Sequence, residues 1–397
     1  MTDITHPRLR LRPKGGSRFR TGAPWVYSDE LVLDRRTRAL PAGTIVTLED
    51  AERQPMATGA FHPTSKIAFR VLERMPDHAI DRAWLHAKIA HAHALRDHLF
   101  DAPFYRLIHA EADGLPGVII DRFGDAVAIQ PNAAWADLLI EDIAAAVMAV
   151  TGVSTVIKNG TGRARALDGL PEETTVLQGA LDGVVDVPMN GAIYQADLLG
   201  GQKTGLYYDQ RPNHAFAARL VRDARVLDVF SHVGGFGLAA LAGGAAHATA
   251  VDGSAPALAL AEAGAAKMGM ADKFATRKGD AFDTMTAMAG EGARFEVVIC
   301  DPPAFAPNKA AAEAGLRAYE RVARLAAKLV APGGYLVLCS CSHAADLARF
   351  RQVSTKGVHR AGRAAQIIHT GEAGPDHPVH PGLAESAYLK ALFLRLD

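Results

Sequence analysis

The stretch Arg225-Val-Leu-Asp-Val-Phe-Ser-His-Val-Gly-Gly-Phe-Gly237 decides the architecture of the C-terminal half. An apolar run of strand length carries an acid near its end, a glycine turn follows, and a helical pattern begins behind the turn. Further short apolar runs succeed it, each followed by a helical stretch: His247-Ala-Thr-Ala-Val251, Phe295-Glu-Val-Val-Ile-Cys300 and Tyr335-Leu-Val-Leu-Cys339. This βαβα rhythm predicts a parallel sheet covered by helices on both faces. Ligands of such sheets bind beyond the carboxyl ends of the strands, so the residues after each strand are read together.

After Asp228 the glycines let the backbone approach a ligand, and the helix behind them offers unpaired N–H groups. Gly235-Phe-Gly237-Leu-Ala-Ala240 fits the dinucleotide pattern G-x-G-x-x-G/A, but it starts several residues too late after the strand. The second strand ends at Asp252, placed to accept hydrogen bonds from ribose hydroxyls. Asp280, in Gly279-Asp280-Ala-Phe282, is placed to meet an adenine amino group. Each acid also reads as a helix cap. The fourth strand ends in Asp301-Pro-Pro-Ala-Phe305, where two prolines fix the backbone beside a carboxylate. That tetrad suits a planar hydrogen-bonding substrate and argues against hydride transfer. The fifth strand runs into Cys339-Ser-Cys341-Ser342; Cys341 stands at the strand exit, whereas Cys300 and Cys339 read as buried packing.

Working outward, 397 residues predict two or three domains, and 49% hydrophobic with 22% charged residues predicts sizeable cores. No apolar run reaches the ~18 residues of a membrane span, and no signal-peptide core is visible, so a cytoplasmic location is expected. Three clustered cysteines make neither a disulfide framework nor a four-ligand zinc site. Net charge is zero, yet Arg8, Arg10, Arg12, Lys14, Arg18 and Arg20 crowd the start, a set that suits phosphates or simply a solvated terminus. Short β-type runs, Gly43–Leu48 and Lys66–Leu72, predict a small β-rich unit over residues 1–75. A helix from about Asp77 to His98, a hairpin over Val118–Gln130 turning at Phe123-Gly124-Asp125, and a helix over Trp135–Val150 predict a central α/β domain at 76–195. The third domain is then 196–397.

In order and spacing, Asp-x-Phe-Ser-x-x-Gly-Gly-Phe, Val-Asp, Asp-Pro-Pro-x-Phe and Ser-Cys-Ser resemble the bacterial 23S ribosomal RNA 5-methylcytosine methyltransferases. The likeness extends to Pro24-Trp-Val-Tyr-Ser28, Gly59-Ala-Phe-His-Pro-Thr-Ser65, Arg106–Gly117, Ile120–Gly124, Gly201–Arg211, Asp376-His-Pro-Val379 and Tyr388-Leu-Lys390. The resemblance implies an N-terminal PUA pseudo-barrel that binds RNA, a central α/β domain with a β-hairpin, and a Rossmann-like class I methyltransferase domain using S-adenosylmethionine. By resemblance, Asp228, Gln210, Phe230, Ser231, Gly234, Gly235, Phe236, Asp252, Asp280, Ala281 and Asp301 hold the cofactor. Pro302, Pro303, Phe305, Lys203, Arg18 and Trp25 face the substrate, a single-stranded or locally opened ribosomal RNA. Cys341 is the implied nucleophile and Asp301 its partner in catalysis. The chain departs from the family at Val233, which replaces a hydroxyl residue, and at Ala304, which replaces a lysine on the solvent side.

Three other readings stand beside this one: N-methylation of an exocyclic base amine, an NAD-dependent oxidoreductase, and an RNA-binding protein without catalysis. A homodimer is left open.

Overall fold

The computed structural model describes residues 5–201 and 205–397, apart from the side chains of residues 163 and 164. Lys203 therefore lies outside the described residues. The chain forms two compact units. The first holds the described residues up to Gly183 together with Leu198–Gly205 and Pro375–Ser386; the second holds Val184–Asp197, Leu206–Gly374 and Ala387–Asp397.

Two sheets build the first unit. A six-stranded sheet has the order Trp25–Tyr27, Ile67–Glu73, Pro55–Phe61, Ile45–Glu49, Arg8–Leu11, Leu31–Val32. Its own core gathers Leu9, Leu11, Val26, Leu48, Phe61 and Phe69, which the alternation of these strands points inward. A five-stranded sheet runs Thr174–Gln178, Thr155–Asn159, Ala126–Pro131, Val118–Phe123, Phe104–His109. The predicted hairpin is present, turning at Gly124-Asp125 with Gly124 in the left-handed region at φ 66°. The predicted helix starts later than read, at Arg82, because the Asp81 carboxylate accepts from Trp84 N–H and caps it there. Arg96 of that helix is fully buried. It holds Asp113 through two hydrogen bonds of 2.6 and 2.7 Å and also donates to the carbonyls of Arg106 and Asp376. His377 packs against the His109 ring and bonds Asp376 in the same cluster.

The second unit contains a seven-stranded sheet. Its strands are β1 (Arg225–Val229), β2 (His247–Asp252), β3 (Phe274–Lys278), β4 (Phe295–Cys300), β5 (Val330–Ser340), β6 (Ala365–Gly371) and β7 (Lys390–Leu396), in the order β3-β2-β1-β4-β5-β7-β6. Five strands are parallel, as the βαβα rhythm predicts. Of the last two, β6 runs in the direction of those five and only β7 runs against them. β7 lies antiparallel between β5 and β6, pairing Cys339 with Ala391 and Ser340 with Lys390. The sheet is mixed because no crossover helix separates β6 from β7.

Helices α1 (Gly235–Ala242), α2 (Ala255–Lys267), α3 (Ala281–Gly290), α4 (Ala312–Ala327) and α5 (Leu347–Arg360) fill the crossovers. Ser254, Asp280 and Asp346 cap α2, α3 and α5 by accepting N–H groups of the first turn. In α4 the buried Leu316, Tyr319, Val322, Ala323 and Ala326 recur at helical spacing and meet β-strand residues Leu227, Val298, Leu336 and Leu394 in one core. The hairpin Val185–Met189 with Ala192–Ala196, read above within segment 76–195, lies in this second unit. Its second strand packs on α1 and α2, and Asp186 pairs with Lys267. Among the described residues, no helix is long and apolar enough to cross a membrane.

Candidate active site

The strand ends converge as the sequence pattern predicts. Backbone bonds join them in a row: Ser231 N–H to Val251 O, Asp301 N–H to Val229 O, and Gly279 N–H to Asp252 O. The loop after β1 is tightly wound. Phe230, His232 and Gly234 all take positive φ, at 63°, 50° and 79°. Such a conformation costs a residue with a Cβ on the order of 1–2 kcal/mol, so neighbouring bonds must hold it. The Asp252 carboxylate supplies one hold: Oδ2 accepts from His232 N–H at 2.9 Å, while Oδ1 accepts from Ser254 N–H at 2.8 Å. Behind the turn, the Tyr194 hydroxyl donates to Gly235 O, and His214 lies against Tyr194 and Phe236. A Cβ on Gly235 would stand 3.0 Å from the His214 ring, and one on Gly234 would stand 3.0 Å from Ala261. Glycine is thus required twice over.

Asp228 is 1% exposed. Its Oδ2 accepts from Gly237 N–H at 2.8 Å, and its Oδ1 has no partner. Burial pushes this carboxyl up to about 7, with Asp252 adding to the rise and the Gly237 bond opposing it. The hydroxyl of buried Ser231 and the amide nitrogen of Gln210 also lack partners; Gln210 Oε1 accepts from Asn213. Buried polar atoms are almost always bonded, so these orphans, with His214 Nδ1 a further one in the segment 210–231, fit a polar ligand seated on the glycine turn. Asp280 caps α3 through Oδ1 alone, and Ala281 begins that helix. Phe230, Phe282 and Phe305 form a triangle of rings with centroids 6.1–6.3 Å apart.

On the substrate side, Pro302 is buried while Pro303 and Ala304 are exposed. Cys300 and Cys339 are fully enclosed, and burial pushes both thiols up; neither can serve as a nucleophile near neutral pH. Cys341 is half-exposed. Its turn is tied to the Asp301 loop: Ser342 Oγ accepts from Ala306 N–H at 3.0 Å and shares a 2.7 Å hydrogen bond with the Tyr319 hydroxyl. Lys390 donates to the carbonyls of Ser342 and Ala345, both at 2.7 Å.

Tyr207 escaped the sequence reading. Burial pushes its phenol up to about 12, and Asp209, Asp301, Cys341 and Asp252 all add to the rise, so it stands among them. Its ring lies 5.1 Å from that of His232. Arg18 and Trp25 belong to the first unit. Arg18 is exposed over Tyr27, whereas the Trp25 indole N–H donates to Glu111 and Arg70 covers its ring.

A glycine turn with orphaned polar atoms, an acid for a sugar, and a thiol beside Asp-Pro-Pro together suit a nucleoside cofactor next to a planar substrate. The sequence family described as S-adenosylmethionine-dependent methyltransferase matches residues 144–395, and a PUA-like domain family matches residues 9–74. The ribosomal RNA large subunit methyltransferase I of Tolumonas auensis is 34% identical over 379 residues, covering 94% of this chain and 95% of that protein. The ribosomal RNA large subunit methyltransferase of Deinococcus radiodurans is 35% identical over 98% of both. A solved methyltransferase structure from Streptococcus mutans shares the fold, with TM-score 0.82 at 18% identity over 98% of this chain and 100% of that one. Another, complexed with SAH, has TM-score 0.83 over the same shares. The chain belongs to the ribosomal RNA large subunit methyltransferase I family of S-adenosylmethionine-dependent methyltransferases and carries a PUA-like domain at its N-terminal end.

Proposed function

We propose that the protein methylates carbon 5 of a cytosine in large-subunit ribosomal RNA through a transient cysteine adduct. The observation that carries this reading is the placement of Cys341: it is the one described thiol that is not enclosed, at the exit of β5, and it acts together with Asp301 on the neutral Tyr207 phenol. A methyltransferase acting on an exocyclic amine needs no thiol there.

Carbon 5 of cytosine is a weak nucleophile. Addition of the Cys341 thiolate to carbon 6 forms an S–C6 bond and moves the ring π electrons toward carbon 5. The bound cofactor supplies a sulfonium methyl group. Loss of the carbon 5 proton to a base then drives the electron pair back and expels the thiolate. Asp301 and the Pro302 backbone hold the polar edge of the ring and compensate its changing charge. On the cofactor side, Asp252 receives the ribose hydroxyls, Asp280 and Ala281 the adenine edge, and Phe230 with its neighbouring rings the adenine face. Gly234, Gly235, Phe236, Ser231 and Gln210 surround the methionine portion. RNA capture begins on the PUA-like domain within residues 1–75, where exposed Arg18 and its neighbours meet phosphates. The base must leave its stack to reach the thiol.

Nucleoside mass spectrometry of ribosomal RNA with and without the gene tests the reading. Loss of one 5-methylcytidine supports it; loss of a base methylated on nitrogen, with 5-methylcytidine unchanged, refutes it.

The Asp228 carboxyl makes a second prediction. Its ionised form attracts the cofactor's ammonium, and with a value of about 7 it gains that charge as pH rises. Measured by calorimetry and taken relative to Asp228→Asn, which shares the ligand's own titration, affinity should increase about eightfold from pH 6 to 7.5. The ligand-free protein shows the opposite trend. A raised carboxyl favours the folded state below its unfolded value of 3.8, and that contribution is lost as pH climbs through about 7. Equal pH profiles for wild type and Asp228→Asn would remove the assignment.

A further inference from the structure

A lysine inside an apolar strand needs a reason. Lys390 opens β7 in the run Lys390-Ala-Leu-Phe-Leu-Arg-Leu396 and is only 7% exposed. The β5–β7 register sets it opposite Ser340, one residue before the thiol. Two of its three N–H donors go to the carbonyls of Ser342 and Ala345, the turn that carries Cys341 away from β5. An ammonium buried in this way is costly unless an anion or an accepting group repays it.

The charges around the turn come from every side. Asp301 after β4, Asp346 at the start of α5 and Asp209, which accepts from the Tyr388 hydroxyl at 2.6 Å, are carboxylates that oppose a thiolate. Tyr207 and Tyr319 have phenols raised chiefly by burial and stay neutral. His343 faces the Tyr388 ring. Lys390 is a cation that feels Cys341: burial lowers its affinity for a proton, while Cys341 and Asp346 oppose that fall.

We propose that Lys390 is a positioning residue for Cys341, fixing the 341–345 turn through two carbonyls and favouring the thiolate by its charge. Its place in catalysis rests on Cys341 being the nucleophile. The arrangement answers a difficulty of the site, which surrounds a thiol with carboxylates yet needs it ionised. Lys390 offsets them from behind the turn, leaving the open side of Cys341 to the base.

The test is alkylation of the full-length protein by iodoacetamide between pH 5.5 and 10, with mass spectrometry reading the label on Cys341; enclosed Cys300 and Cys339 stay silent. The wild-type midpoint should fall below the ~8.5 of an unperturbed thiol. Lys390→Gln keeps a donor for the carbonyls but loses the charge, so its midpoint should rise by about one pH unit, a roughly tenfold slower reaction at pH 7. Lys390→Arg should restore the wild-type value to within about 0.3 unit, on the scale of that same shift. A merely structural lysine would change the melting temperature of these variants without moving the midpoint. A folded Lys390→Gln protein with an unchanged midpoint overturns the proposal. Should that variant not fold, a wild-type midpoint at or above ~8.5 overturns it by itself. The nucleophile reading fails separately: methyl transfer surviving in Cys341→Ala would sink it while leaving the titration as a report on Lys390.

Discussion

Cys341→Ala should bind S-adenosylmethionine within about twofold of wild type yet transfer methyl groups at least a thousandfold more slowly, a loss typical of a removed covalent nucleophile. The two halves of this result come from different parts of the sheet. In the reading proposed above, cofactor affinity resides in the loops after β1, β2 and β3, where Asp228, Asp252 and the Gly234-Gly235 turn are held by bonds that do not involve residue 341. The thiol stands after β5, and the ties of its turn to Ala306 and Tyr319 run through Ser342. Removing one sulfur atom therefore leaves the cofactor site in place. Cys341→Ser is the sharper control, since it retains nearly the same volume and replaces a thiol with a hydroxyl that does not ionise near neutral pH. Filter binding of labelled cofactor and single-turnover methylation of a ribosomal RNA fragment measure the two quantities. Methylation within tenfold of wild type in either variant would exclude a covalent mechanism.

Asp113→Ala should destabilise the first unit by about 3–5 kcal/mol, the usual consequence of removing one partner of a buried ion pair. Arg96 is fully buried and has five hydrogen bonds around its guanidinium, two of them to Asp113 and three to carbonyls. The same carboxylate also accepts from His109 N–H at 2.6 Å. Burial pushes the His109 imidazole down to about 2, with Arg106 beside it acting in the same direction, so it stays neutral and adds no second positive charge beside Arg96. Without Asp113 a permanently charged group stays inside the protein with carbonyls only. The double variant Arg96→Met with Asp113→Leu should recover most of the loss, because it removes the charge along with its partner. Urea unfolding followed by a probe in the first unit, such as Trp84 or Trp135, gives the difference. A cost under about 1 kcal/mol would mean the pair is solvated, contrary to its burial.

Much of the second unit was legible because a parallel sheet collects its chemistry at one edge. Four strands could be read from apolar runs, and the acids and the thiol that follow them were found together. β3 was harder. Phe274-Ala-Thr-Arg-Lys278 is an edge strand with polar faces and carries little apolar signal. β7, Lys390–Leu396, was not read from the sequence, and its pairing is chosen by tertiary contacts rather than by local pattern. Tyr207 was missed for a related reason. It lies in a quoted motif, yet nothing in its neighbours along the chain shows that Asp252, Asp301 and Cys341 would gather around it. Lys390 did leave a trace, since a charged residue opening an apolar strand implies a buried partner. The acids illustrate the opposite case. Asp280 caps a helix as the plainer reading held, through one oxygen only.

The antiparallel placement of β7 also has a consequence for how the protein comes into being. The strand synthesised after all the others occupies an interior position, between β5 and β6, and brings Lys390 to the catalytic turn. On the ribosome, the cofactor loops after β1, β2 and β4 can form early, but the thiol's support cannot exist until Lys390–Leu396 has emerged. In the reading proposed above, a chain without these residues would leave the 341–345 turn without the two bonds that Lys390 supplies.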